Sequence, residues 1–324
     1  MATENTRLTA MLGLEHPLIM APMFLVSNVA MVEEGMRCGV AGCIPALNYR
    51  TLDELRTSVR ALKVAKAAIG KGAFGYNLIV NKSNPKAMAQ LEALCEEGCD
   101  FIITSLGSPE ATIKQAHAVG IKVFCDVTDL RFAQKVEALG ADAVIAVNNA
   151  AGGHRGGLAP EALIDTLRTN CTIPVISAGG VGNAQEMARM LGYGAEGVSV
   201  GSPFIASVEA PITEEYKQAC VEYGAEDIVL TERISGTPCT VINTPYVQKV
   251  GLRSPWIERM LNKNRRLKKW VKMLRFYIGM KATEVAAQQV TYKTVWVAGP
   301  SIGHTKAVEP VRAIIARLVG KSKP

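Results

Sequence analysis

The amino-acid sequence predicts an α/β fold, a (β/α)8 or TIM barrel joined to a second, smaller and mainly helical domain. Eight short apolar runs rich in β-branched residues lie between residues 17 and 205, amphipathic helical stretches separate them, and the rhythm changes after residue 211. Strands that alternate with helices indicate a parallel sheet, and eight such units suffice to close a barrel. We therefore expect a barrel over residues 1–210, a helical substrate or lid domain over 211–294, and a segment over 295–324 that returns to the barrel.

The predicted strands are short and apolar, as expected for a parallel sheet that is covered on both faces. In chain order they are PLIMAPM, VAGCIPA, AFGYNLIV, FIITS, KVFCDVT, AVIAVNN, IPVISAGG and GVSVGSP. The helices between them begin at Thr, Asn, Ser, Asp or Pro and several end at Gly, which are the residue types that favour helix starts and ends. They are TLDELRTSVRALKVAKAAI, NPKAMAQLEALCEEG, SPEATIKQAHAVG, DLRFAQKVEALG, APEALIDTLRTN and NAQEMARMLGYG.

Composition limits the class of protein. Of 324 residues, 48% are hydrophobic and 20% are charged, which is enough apolar surface for a substantial core. No apolar run is long enough to span a membrane, and the N-terminus has no secretory cleavage pattern, so we expect a cytoplasmic protein. The eight cysteines include no pair at the two-residue spacing of zinc and redox motifs. We expect no metal site, a small-molecule substrate and no nucleic-acid partner, and we leave a homodimer open.

The net charge of +7 is concentrated in residues 253–281, a strongly basic segment whose only acid is Glu258. Its apolar residues recur at three- and four-residue spacing, which predicts an amphipathic helix with Arg265, Arg266 and Lys269 largely off the apolar stripe. Three roles remain open for this helix. These are a solvated basic face above a packed apolar face, a docking site for an anionic thioester or carrier protein, and a membrane-surface element.

In a barrel of this kind the chemistry lies at the C-terminal ends of the strands. Two glycine-bearing loops, SAGGVGNAQEM and SVGSPF, follow the last two predicted strands and offer backbone N–H groups, and the second adds the Ser202 hydroxyl. Such loops can hold a phosphate dianion without a lysine. The same rule selects the residues that follow the other predicted strands: Pro22, Met23, Asn77, Ser105, Asp126, Thr128 and His154.

His154 stands among four glycines in AGGHRGG, residues 151–157. Glycines allow a close backbone approach to a flat ligand and positive φ angles. Because the pKa of imidazole lies near neutrality, His154 could accept a proton from carbon or stabilise a developing anion. A purely structural histidine in a glycine loop is the alternative. For His16, His117 and His304 we expect structural or solvated roles.

The chain resembles the nitronate monooxygenase, or 2-nitropropane dioxygenase, family of FMN-dependent barrels. The resemblance rests on HPLIMAPM, FGYNLIV, AGGHRGG, IPVISAGGV, GVSVGSPF, ISGTPCTVINTP and AGPSIG, in this order and spacing. It implies that FMN lies across the barrel mouth, with its phosphate at Gly180, Gly201 and Ser202 and His154 on the substrate side. The other cofactor-binding residues that it implies are Pro22, Met23, Asn77, Asp126, Val147, Gly152, Gly153, Gly179, Ser199 and Val200.

Three positions depart from the family pattern. Val147 replaces a polar residue that can reach the flavin, Ala150 replaces an acidic residue, and Asp126 stands where some relatives carry a lysine. The resemblance implies oxidation of an alkyl nitronate by O2 to a carbonyl compound and nitrite. Flavin-dependent enoyl-acyl-carrier-protein reductases and NADH:quinone reductases share much of the pattern, so an NAD(P)H-dependent reductase of a thioester or quinone is the alternative. A flavin-free barrel that binds a phosphorylated ligand is a third hypothesis.

Overall fold

The computed structural model describes residues 5–81, 84–232, 238–252 and 295–321. Eight parallel strands form a closed barrel in chain order, and β1 pairs with β8 to complete it. The predicted TIM barrel is therefore confirmed, with one strand in each predicted run. The strands are β1 Leu18–Met20, β2 Ala41–Pro45, β3 Ala73–Ile79, β4 Phe101–Ser105, β5 Lys122–Val127, β6 Ala143–Val147, β7 Val175–Ala178 and β8 Gly197–Val200, followed by the antiparallel pair β9 Ile228–Thr231 and β10 Cys239–Ile242.

Helices cover the outside of the barrel. Thr51 and Asn183 cap two of them through their side chains, because each accepts a hydrogen bond from the backbone three residues later. The helices are α1 Arg7–Leu12, α2 Val29–Arg37, α3 Leu52–Ile69, α4 Ala87–Glu97, α5 Glu110–Ala118, α6 Leu130–Ala138, α7 Pro160–Asn170, α8 Ala184–Gly192, α9 Glu214–Glu222, α10 Pro245–Val250 and α11 Val311–Leu318.

Two helices were not predicted from the sequence. The helix α1 has only six residues and precedes the first strand, and α2 connects β1 to β2. Both carry start signals: Thr6 and Thr9 form a capping box at α1, and Asn28 caps α2. The α1 residues Leu8 and Leu12 pack into the same buried cluster as the barrel interior. The N-terminus therefore helps to close the bottom of the barrel.

The barrel interior is filled with side chains at its N-terminal end. Phe101 and Phe124 are fully buried there, and their rings stack with centroids 5.2 Å apart. Ile19, Ile103 and Ile176 belong to the same cluster. A filled lower barrel leaves space only at the C-terminal ends of the strands, where TIM barrels carry their sites.

The strand β10 connects the glycine loop after β6 to the tail that follows residue 294. The Thr240 backbone N–H donates to Gly153 O at 2.9 Å, and the Ile242 N–H donates to Trp296 O at 2.9 Å. The antiparallel pair of which β10 is part thus braces the loop that carries His154. The division into domains at residues 210 and 294 stays a prediction, and the basic segment 253–281 lies outside the described residues. No helix in the described ranges is long and apolar enough to cross a membrane.

Candidate active site

A cavity of about 860 Å³ opens at the C-terminal ends of the barrel strands. The structure places His154 on its wall together with every residue that the sequence predicts for cofactor binding. Their roles remain predictions, but one cavity brings all of them together. They are Pro22, Met23, Asn77, Asp126, Val147, Gly152, Gly153, Gly179, Gly180, Ser199, Val200, Gly201 and Ser202.

His154 is held at the cavity wall by its own backbone. It forms an antiparallel bridge with Cys239, and the adjacent Gly153 N–H donates to Thr240 Oγ1 at 2.8 Å. Gly153 has a φ of 77°, a left-handed conformation that favours glycine. The side chain of His154 is open to the cavity, yet the surrounding walls desolvate it, and this burial lowers its pKa below the usual value. The neutral imidazole is therefore the main form at neutral pH.

The glycine loop after β7 and the start of the turn after β8 form a cradle of backbone N–H groups. Gly179 and Gly180 have φ angles of 114° and 76°, which a residue with a Cβ adopts only with strain. Within the described residues, the N–H groups of Gly180, Gly201 and Ser202 have no hydrogen-bond acceptor. The Ser202 hydroxyl accepts from the Gly299 N–H at 2.8 Å, which leaves its own proton to donate. These donors fit a phosphate dianion.

His304, in the segment after residue 294, forms hydrogen bonds with residues that follow the cradle glycines. The amide nitrogen Nδ2 of Asn183 can only donate, and it lies 3.1 Å from His304 Nδ1, so His304 Nδ1 is the acceptor. The proton of the neutral imidazole is therefore on His304 Nε2, which donates to Glu186 Oε1 at 3.0 Å. The other Glu186 oxygen accepts from the Gly182 N–H at 2.7 Å. The expected structural role of His304 is thus a specific one, because it fixes the loop that continues from Gly179 and Gly180.

The opposite wall carries an acid. Ser105 Oγ lies 2.5 Å from Asp126 Oδ2, and Asn77 Nδ2 lies 2.8 Å from the same Ser105 oxygen. These three residues come from β3, β4 and β5, which are neighbours in the barrel. Burial raises the pKa of Asp126 to about 6, while the hydrogen bond from Ser105 lowers it in part. Asp126 therefore titrates close to neutral pH.

The described part of the cavity mouth carries apolar side chains and two cations. Leu106 and Phe132 are 46% and 52% exposed, and both line the cavity. Leu106 also has a φ of 62°, which is uncommon for a branched side chain. Lys135 and Arg155 line the same mouth, and Arg155 Nη1 donates to Asn149 O at 2.5 Å.

Several lining residues come from outside the barrel strands and were not singled out by the sequence. Tyr216 on α9 donates from its hydroxyl to Val297 O at 2.6 Å, and its ring stacks on Trp296 with centroids 5.7 Å apart. Cys239 and Ser301 also line the cavity. A signal existed for these two, because both lie within the motifs ISGTPCTVINTP and AGPSIG, but neither motif indicates which side chain faces a ligand.

Comparison with known proteins connects this site to a family. The family model for nitronate monooxygenase matches residues 5–321. A nitronate monooxygenase of Paraburkholderia phytofirmans is 28% identical over 280 residues, covering 72% of this chain and 75% of that protein. A protein of Rhodococcus jostii named (3aS,4S,5R,7aS)-5-hydroxy-7a-methyl-1-oxo-octahydro-1H-indene-4-carboxyl-CoA dehydrogenase is 28% identical over 250 residues, covering 77% of this chain and 69% of that protein.

Solved structures agree with the fold. FabK from Thermotoga maritima superposes with a TM-score of 0.84 at 28% identity, covering 98% of this chain and 96% of that chain. A nitroalkane oxidase from Streptomyces ansochromogenes superposes with a TM-score of 0.79 at 21% identity, covering 97% of each chain, and this likeness concerns the fold alone. Because the family model spans nearly the whole chain, the protein belongs to the nitronate monooxygenase family of flavin-dependent TIM-barrel oxidoreductases.

Proposed function

We propose that this protein binds FMN and oxidises alkyl nitronates with O2, giving a carbonyl compound and nitrite. The observation that carries the proposal is the placement of His154, with its lowered pKa, in the same cavity as the unpaired N–H groups of the glycine cradle. The same cavity therefore offers donors that suit a phosphate and a residue that suits proton transfer. This arrangement supports a bound flavin with its reacting ring near His154.

The residues present fit FMN. Gly180, Gly201 and Ser202 would hold the phosphate through their N–H groups and the Ser202 hydroxyl, since these donors have no other acceptor in the described chain. Pro22 and Met23 line the cavity beside them and would contact the ring. FMN is favoured over FAD because the described residues form one phosphate cradle, and in the sequence no predicted strand is followed by a Gly-x-Gly-x-x-Gly motif that suits a pyrophosphate. A bound FMN would supply the electron chemistry between the substrate and O2.

The protein's own contribution is to bind the substrate and handle one proton. A neutral His154 can accept the α proton of a nitroalkane, and its imidazole can hydrogen-bond a preformed nitronate. Val147 presents an apolar side chain to the cavity where the family pattern has a polar one. Orientation of the substrate therefore rests on His154 and on the acid wall formed by Asn77, Ser105 and Asp126.

A second function is supported by the mouth of the cavity. Leu106 and Phe132 offer apolar contacts, and Lys135 and Arg155 offer positive charge, which together suit a large amphipathic anion such as an acyl thioester. The Rhodococcus jostii relative is named as a dehydrogenase of a carboxyl-CoA compound. The alternative is thus an NAD(P)H-dependent reductase, or a dehydrogenase, of a thioester or quinone, with His154 as the acid or anion stabiliser.

Anaerobic mixing of the purified protein with single reactants tests the proposal. A yellow protein whose flavin absorbance bleaches with propane-2-nitronate, and reoxidises on admission of O2 with release of nitrite, supports nitronate oxidation. Bleaching by NADH or NADPH together with inertness to the nitronate would replace it with the reductase. A colourless protein that does not take up FMN would leave a barrel that binds another phosphorylated ligand.

A further inference from the structure

Asp126 is a carboxylic acid in the wall of the cavity. Among the described residues that line the cavity, it is the only Asp or Glu. It stands near the end of β5, beside the ends of β3 and β4. An isolated acid at this depth is a strong determinant of the charge that the cavity tolerates, because interactions between charges strengthen as water is removed.

The network behind Asp126 has a fixed direction. The Asn77 amide nitrogen can only donate, so the Ser105 oxygen accepts from it and Ser105 gives its own proton to Asp126 Oδ2. Asn77 Nδ2 also donates to Ile103 O at 3.1 Å, which holds the amide in place. Within the described residues, Asp126 Oδ1 makes no hydrogen bond. One carboxyl oxygen is thus occupied by the barrel, and the other is left for a proton or a ligand.

The charged and titratable groups around Asp126 do not fix it in the ionised form. They include two buried thiols, Cys125 next to Asp126 on β5 and Cys43 on β2, whose pKa values are raised by burial and by the Asp126 charge. His154 faces the same cavity and is mainly neutral. Among the described lining residues the cations are Lys135 on α6 and Arg155, and both are exposed. Desolvation is the main influence on the pKa of the acid, and the hydrogen bond from Ser105 partly offsets it.

We propose that Asp126 determines the charge of the reacting groups that this cavity accepts: the carboxylate disfavours anions, whereas the neutral acid donates a hydrogen bond to them through Oδ1. The inference rests on the proposed function only in placing the substrate in this cavity. A nitronate is an anion, so it would be accepted best when Asp126 is protonated, whereas a nitroalkane is neutral and would be accepted in either state. A thioester carbonyl, being neutral, would be accepted in either state.

Binding of a matched pair of ligands tests this without turnover. Isobutyrate and isobutyramide have the same branched shape and a planar head group, and differ in charge. Their dissociation constants are measured by titration calorimetry on the flavin-loaded protein and on Asp126→Asn, from about pH 5 to about pH 8. At about pH 8 we expect Asp126→Asn to bind isobutyrate roughly tenfold more tightly than the parent, with isobutyramide changed by less than about threefold. At about pH 5 the two proteins should bind isobutyrate alike.

Comparing the dissociation constants of the parent and Asp126→Asn at the same pH isolates the effect of the Asp126 charge, because protonation of His154 changes ligand binding equally in both proteins. A second variant covers a failure of Asp126→Asn to fold. Ser105→Ala removes the hydrogen bond that favours the carboxylate, so the acid form should persist to higher pH, and the loss of isobutyrate affinity should shift upward with it. The carboxyl ¹³C resonance of Asp126 should report the same shift directly.

Equal isobutyrate affinity of the parent and Asp126→Asn at about pH 8 would overturn the proposal. So would an Asp126 resonance that titrates while the affinity for both ligands stays constant. A protein that fails to oxidise nitronates but shows the expected charge discrimination would remove the proposed function and leave this inference standing.

Discussion

Gly152 and Gly299 lie backbone against backbone at the edge of the cavity. A Cβ atom on Gly152 would lie 2.9 Å from Gly299 N, and one on Gly299 would lie 2.7 Å from Gly152 Cα. The Ser202 hydroxyl oxygen fills the third side, because it would lie 2.7 Å from the same Cβ atom on Gly152. The loop that carries His154, the phosphate cradle and the returning tail therefore meet at one point, where no side chain can be inserted without displacing backbone.

This contact predicts the effect of a single methyl group. Gly152→Ala and Gly299→Ala should each lower the free energy of unfolding by about 1–3 kcal/mol, because an overpacked site must displace its neighbours. Urea denaturation measures the change. Gly157→Ala is the matched control in the same loop, since a Cβ there meets nothing within 4 Å. Unfolding free energies that match the control would show that the three segments do not pack as described.

The phosphate assignment predicts that charge, and not size, is excluded at Gly201. A Cβ at this position makes only ordinary contacts of 3.5 Å, so Gly201→Ala should fold and retain flavin. Gly201→Asp should lose FMN, because a carboxylate would stand beside the phosphate dianion. Gly180→Asp should do the same, with added strain from its φ of 76°. Flavin content after gel filtration measures the loss, and normal FMN in Gly201→Asp would remove the assignment.

The hydrogen bonds of His304 predict that this residue contributes to flavin affinity without contacting the flavin ring. His304→Ala should weaken FMN binding by about tenfold, because Glu186 and the loop at Gly182 lose a fixed partner. Partners that orient a binding site through other residues commonly contribute about 10- to 100-fold to affinity. His117→Ala removes a histidine that pairs with Asp142 outside the cavity and serves as the control. FMN affinity equal to that control would assign His304 to packing alone.

The lowered pKa of His154 predicts the pH dependence of proton abstraction. The base form is lost only as pH falls through a pKa below 6.5, so kcat/KM for a neutral nitroalkane should rise with pH through that region and then level off. The measurement is best made in Asp126→Asn, which removes a second titrating group in the cavity, an acid whose pKa is raised to about 6. A profile that falls across this range would indicate that the protonated imidazole is the active form.

The barrel and the location of the site could be predicted from the sequence, because both depend on local patterns. Alternating apolar runs and capped helices indicate eight units, and the ends of those units select residues such as His154 and Gly180. Contacts between distant segments leave no such pattern. The bond from His304 to Glu186 joins residues 118 positions apart, and Tyr216 reaches the cavity from a helix beyond the barrel. Neighbouring strands predict that Asn77, Ser105 and Asp126 are close, but not that they form a directed network.

In the proposed function His154 transfers the substrate proton beside a bound flavin. The variant His154→Asn keeps a hydrogen-bonding side chain and leaves the phosphate cradle untouched, so its FMN content should stay near normal. Loss of a general base commonly lowers the rate by about 10²- to 10⁴-fold.

The most direct measurement compares 2-nitropropane with propane-2-nitronate on the parent and on His154→Asn, with kcat/KM determined for each. We predict a loss of this size for the neutral nitroalkane, which must be deprotonated, and a far smaller loss for the preformed nitronate, which need not be. Equal small losses for both substrates, or a His154→Asn protein that no longer holds FMN, would show that the base lies elsewhere and that His154 serves the structure of its glycine loop.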